Sequence, residues 1–109
     1  MKSVVIHAEG NVRVEERPIP HIQAADDVQV RIACSGLCGS DIPRIFAGGA
    51  HYYPITLGHE FSGHVEACGT EVHDLKAGDP VACVPLLPCF SCPACEKGYF
   101  SLCKQYQFV

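Results

Sequence analysis

The chain contains no hydrophobic run long enough to cross a membrane or to form the core of a secretory signal; the N-terminal run Val4 to Ile6 is three residues long. It has no block of like charge, which disfavours electrostatic attachment to a membrane surface. Charged residues make up only 18% of the sequence, and the net charge is −4, the wrong sign for a basic nucleic-acid face. There is no internal repeat, no low-complexity segment and no G-x-G-x-x-G, the glycine pattern on which dinucleotide phosphates rest. The expected setting is therefore a reducing cytoplasm, with neither nucleic acid nor membrane as a partner. In that setting cysteines are more often metal ligands or catalytic groups than disulfides.

What is present is one domain's worth of chain, 109 residues, with 48% hydrophobic residues and eight cysteines. VVIH, VRVEE and DVQVRIACS have the β-branched or alternating character of strands. In the third run Val28, Val30, Ile32 and Cys34 would share one face of the pleat. Gly10-Asn11 suits a hairpin turn between the first two runs, and Pro18 and Pro20 mark a connector over 17–26. FSGHVEACG and DPVACVPLL form a second strand group around the turn Gly78-Asp79-Pro80. SDIPRIFAG can make one helical turn, and GGAHYYP reads as loop. Short strands with little helix point to a barrel-like, mainly β domain.

The strongest motif is PCFSCPACEKGYFSLCK, with Cys89, Cys92, Cys95 and Cys103 spaced C-x2-C-x2-C-x7-C. Two-residue gaps let successive thiolates turn toward one point, and the longer gap closes a tetrahedron, as Zn²⁺ requires in its structural sites. An iron–sulfur loop would continue x3-C-P after the third cysteine, and this one does not. Four filled positions leave no room for a reactant, so this lobe, about residues 88–104, is a staple. Free cysteines elsewhere, Cys34, Cys68 and Cys83, lie in apolar strand-like runs and are expected in the core.

A sparser constellation lies upstream, in GLCGSD (36–41) and LGHEFSG (57–63). Cys38, His59 and an acidic group would leave a metal position open, the arrangement of catalytic zinc. Asp41 could fix the ring of His59 from behind, and Ser40 could pass a proton. By spacing alone, a Cys and a His 21 positions apart read more readily as structural residues. Arg44, His51, Tyr52 and Tyr53 follow the first segment and could line a substrate pocket. Arg44 suits a phosphate by its fork, and suits solvent equally well.

In combination and order these motifs resemble the zinc-containing medium-chain dehydrogenases. GLCGSD is similar to the family's first catalytic-zinc segment, LGHEFSGHVEACG to its G-H-E segment, and AGDPVACVPLLPCFSCPACEKGYFSLC to its G-D-x-V strand and four-cysteine lobe. SGLCGSDIPRIF, GAHYYPITLGHEFSG and PVACVPLLPC place the likeness in the polyol branch, among members acting on galactitol 1-phosphate. The resemblance implies a GroES-like, partly open β-barrel with a projecting structural-zinc lobe. It implies NAD-dependent oxidation of a sugar-alcohol phosphate, one structural and one catalytic zinc, and a homo-oligomeric full-length enzyme. On it, Cys38 and His59 bind the catalytic zinc, with Glu60 as a nearby or alternating ligand and another glutamate supplied from beyond this chain. Cys89, Cys92, Cys95 and Cys103 bind the structural zinc, and Ser40 carries the relay hydroxyl. Family members continue into a Rossmann domain that is lacking here, so residues 1–109 are expected to be the N-terminal part of the catalytic domain, inactive alone. A dehydrogenase of threonine or of another polyol, and a stand-alone zinc module that binds a partner protein, are the alternatives.

Overall fold

The computed structural model describes residues 1–108 as a mainly β structure. Strand β1 (Lys2–Ala8) turns at Gly10, whose φ of 70° suits a residue without a side chain, and pairs antiparallel with β2 (Asn11–Glu16). Val4 faces Val14 and Ile6 faces Val12 across this ladder. The other edge of β1 takes the two-residue β4 (Ile55–Thr56), giving the order β2-β1-β4. A second sheet, β3-β5-β6, pairs β3 (Val28–Ser35) with β5 (Phe61–Cys68), and β5 with β6 (Pro80–Ala82). Helix α1 (Asp41–Phe46) lies between the sheets in sequence. A two-stranded ribbon, β7 (Leu86–Leu87) with β8 (Gln107–Phe108), brackets the cysteine lobe, which holds α2 (Pro93–Glu96) and a 3-10 turn, Phe100–Leu102. No helix among the described residues is long and apolar enough to cross a membrane.

Backbones approach closely where glycine allows it. A Cβ on Gly63 would stand 2.2 Å from the Arg31 carbonyl oxygen, and one on Gly69 would stand 2.2 Å from that of Ala25. The buried apolar side chains among the described residues are few: Val5, Ile6, Ile45, Val65, Cys95 and Cys103. The radius of gyration is 15.6 Å, against about 13 Å for a compact domain of this length.

Two expectations need correction. DPVACVPLL is not one strand: it breaks after Ala82, and β7 joins a different sheet from β6. Pro85 cannot donate to a ladder, which suits it to the break. The three strand cysteines are not core residues either. Cys34 is exposed, and Cys68 and Cys83 are half-buried with their thiols near the carbonyls of Leu75 and Val84. The register of β3 against β5 shifts twice, between Gln29 and Val30 and between Ile32 and Cys34. Those shifts break the strict alternation, and Ile32 is left 50% exposed.

Candidate metal centres

The β3–β5 pairing brings the two upstream segments together. Ser35, the last residue of β3, is opposite Phe61, the first of β5. Residues just after β3 and just before β5 therefore meet at one end of the sheet, and the Gly36 N–H donates to the Glu60 carbonyl at 2.7 Å. Gly58, at φ 111°, sits against β3; a Cβ there would come within 2.8 Å of Ser35 Oγ. Here the ligand atoms of Cys38, His59 and Glu60 all lie within 4.8 Å of one another. Cys38 and His59 are half-buried and Glu60 is exposed.

Asp41 organises this end. It is fully buried. Its Oδ2 accepts the Cys38 N–H at 2.9 Å, while its own N–H donates to the Cys38 carbonyl at 3.0 Å. Its Oδ1 accepts from Arg44 Nη1 at 3.1 Å and stands 3.7 Å from His59 Nδ1, near but beyond hydrogen-bond reach. Asp41 thus lies beside the His59 ring without making the hydrogen bond to it that the sequence suggested. The same Arg44 nitrogen donates to Ser40 Oγ at 3.2 Å. Ser40 is exposed.

Arg44 is therefore neither free nor merely solvated: it is the counter-ion of a buried carboxylate. The sequence carries a signal for this, because Asp41 and Arg44 are three apart on a helical turn. Of the other suggested pocket residues, Tyr53 donates its hydroxyl to the Arg44 carbonyl at 3.3 Å, and His51 and Tyr52 are exposed.

The four lobe cysteines converge within 4.8 Å, and all eight cysteines are free thiols. Sulfur–sulfur separations are 3.5 Å for Cys92–Cys95, 3.6 Å for Cys103–Cys89 and 3.9 Å for Cys89–Cys95. A tetrahedral zinc with bonds of about 2.3 Å spaces its sulfurs about 3.8 Å apart, so the donor set fits that ion. The N–H groups of Cys89 and Gln105 both donate to Cys103 Sγ at 3.4 Å. Hydrogen bonds from the Ser91 backbone and side chain bring the Cys89 thiol down to about 6. The Cys95 backbone likewise lowers Cys92, while burial and the Cys92 sulfur push Cys95 up to about 12. Metal binding to these thiols would release their protons to solvent. The upstream trio, with one sulfur, one nitrogen and one carboxylate, suits zinc as a three-donor site.

The sequence profile of the alcohol dehydrogenase GroES-like domain matches residues 24–109. Galactitol 1-phosphate 5-dehydrogenase from Escherichia coli (strain K12) is 64% identical over 109 residues, covering 100% of this chain and 32% of that protein. Sorbitol dehydrogenase from Bombyx mori is 39% identical over 110 residues, covering 97% of this chain and 31% of its own length. The crystal structure of the Escherichia coli galactitol-1-phosphate dehydrogenase superposes with a TM-score of 0.95 at 64% identity, again over 100% of this chain and 32% of that one. The chain thus spans about a third of the length of the curated relatives it matches. It belongs to the alcohol dehydrogenase GroES-like domain family.

Proposed function

We propose that residues 1–109 are the N-terminal part of the catalytic domain of a zinc-dependent polyol-phosphate dehydrogenase. The whole enzyme oxidises galactitol 1-phosphate to a keto-sugar phosphate with NAD, in the cytoplasm and as a homo-oligomer. The nucleotide-binding domain and one further glutamate ligand come from outside these residues. What supports this reading is the co-occurrence of a closed four-thiol clamp and a separate Cys–His–Glu trio in a chain 64% identical to an enzyme named for that substrate.

In this reading Cys89, Cys92, Cys95 and Cys103 hold the structural zinc. Cys38 and His59 hold the catalytic one, and Glu60 stands beside them as a nearby or alternating ligand. Bound there, zinc supplies Lewis acidity, lowering the proton affinity of an alcohol oxygen. Asp41 fixes the Cys38 turn through the Cys38 N–H and places a negative charge beside the ring of His59. Ser40, at the exposed mouth, takes the alcohol proton and passes it to solvent.

The test is made with the intact enzyme, offered NAD with galactitol 1-phosphate, unphosphorylated galactitol or threonine. Preferred NADH formation from the phosphorylated polyol is expected, with about two zinc ions per chain, falling to about one in Cys38→Ser. Turnover of threonine or the free polyol in preference would reassign the substrate. No turnover of any, with one zinc per chain, would favour an interaction module.

A further inference from the structure

Resting on the reading above, we propose that Arg44 is a positioning residue that holds the proton-carrying hydroxyl of Ser40 and, through the same nitrogen, the buried carboxylate of Asp41 that stands beside His59. Asp41 is fully buried, and a carboxylate removed from water must be paired and hydrogen-bonded. Its Oδ2 is occupied by the Cys38 N–H; its Oδ1 depends on Arg44 Nη1 at 3.1 Å. That nitrogen has two hydrogens, and the second reaches Ser40 Oγ at 3.2 Å.

Two consequences follow for the chemistry. Because Ser40 Oγ accepts from a cation, its own hydrogen must point elsewhere, and Ser40 is open on its exposed side. The guanidinium also stabilises negative charge on Oγ as its proton leaves. At the other end, the pairing keeps the Asp41 carboxylate 3.7 Å from His59 Nδ1. Arg44 is itself anchored, since its side chain is only 22% exposed and its carbonyl accepts the Tyr53 hydroxyl. A guanidinium committed in this way acts on turnover and not on substrate affinity, unlike one that grips the phosphate.

The experiment compares Arg44→Met and Arg44→Lys with the wild type in the intact enzyme, loaded with zinc for kinetics and with cobalt for absorption spectra. For Arg44→Met the expected result is a fall in kcat of about tenfold or more, with KM for galactitol 1-phosphate within about twofold. Arg44→Lys, which keeps the charge without the fork, should recover part of the loss. The cobalt absorption bands that vanish in Cys38→Ser should shift in Arg44→Met. A raised KM with kcat intact would overturn the proposal in favour of a phosphate grip, and unshifted bands would remove the link to His59. Wild-type enzyme that oxidises no polyol phosphate would sink the functional reading instead, and the cobalt comparison would still judge Arg44.

Discussion

Substituting Cys92 by alanine should unfold the cysteine lobe while leaving the two larger sheets in place. The lobe spans residues 88–104, and within it the buried side chains are Cys95 and Cys103 alone, 5% and 3% exposed. Phe90, Tyr99, Phe100 and Leu102, which would ordinarily build a core, are all exposed. Order must therefore come from the thiol clamp. Zinc binding to such a set contributes about 10–16 kcal/mol as an apparent value that already includes the cost of ordering the chain around it, and turn hydrogen bonds run from Gly98 to Cys95 and from Cys103 to Phe100. Losing one thiolate of four should remove at least about 3 kcal/mol of the zinc contribution, raising the opened population more than about 100-fold. Trypsin reports this directly, because Lys97 and Lys104 are exposed inside the lobe. Cleavage there should be slow in the zinc-loaded wild type and fast in Cys92→Ala, as in wild type treated with a chelator. If the variant resisted trypsin at both lysines as well as the zinc-loaded protein does, the claim that metal replaces a core here would be wrong.

Three further outcomes can be measured on the metal-loaded protein. Ile6, fully buried at the centre of the β1 sheet, should lose about 3 kcal/mol on replacement by alanine, read from urea denaturation; a change under about 1 kcal/mol would mean that this small core does not carry the sheet. Gly69→Ala, whose Cβ would run into Ala25 backbone atoms, should cost about 3 kcal/mol. Gly10→Ala meets open space and bears only its φ of 70°, costing about 1 kcal/mol; equal losses would contradict the packing argument. The His7 hydrogen bond, helped by Arg17, holds the Glu15 carboxyl below its ordinary value of 4.5. A depressed carboxyl stabilises the fold above its unfolded pKa, and that contribution is lost as pH falls through the folded value. The melting-temperature gap between wild type and Glu15→Gln should accordingly be present near neutral pH and close as pH drops below 4.5; a gap independent of pH would refute the pairing.

The longer strands were legible because alternation and β-branching are local properties, and the Gly10 hairpin was legible from its turn residues. Strands β4 and β8 were not, and β7 was read as one run with β6. Two residues carry no period, and their partners are set by tertiary contact. The same limit misplaced Cys34, since apolar character marks a strand without saying whether its face is covered. The cysteine clamp could be read because its chemistry resides in spacing. The Cys38–His59 proximity could not be read in that way, because it depends on the register of β3 against β5. Arg44 was ambiguous for a similar reason: a fork three residues after an acid predicts a pair only once the acid is known to be buried.

The seating of Ser35 opposite Phe61 has a consequence for how such a site can diversify. The candidate donors hang from one end of this ladder, so the exposed loop residues 51–52, outside β4 and before Tyr53, can vary without shifting it. Loop closure depends only weakly on length, and insertions or exchanges around His51 and Tyr52 leave the donor geometry intact. On the proposed reading, such a site can be inherited unchanged while the neighbouring loop is rewritten, whereas a one-residue slip between β3 and β5 would separate Cys38 from His59 whatever that loop contains.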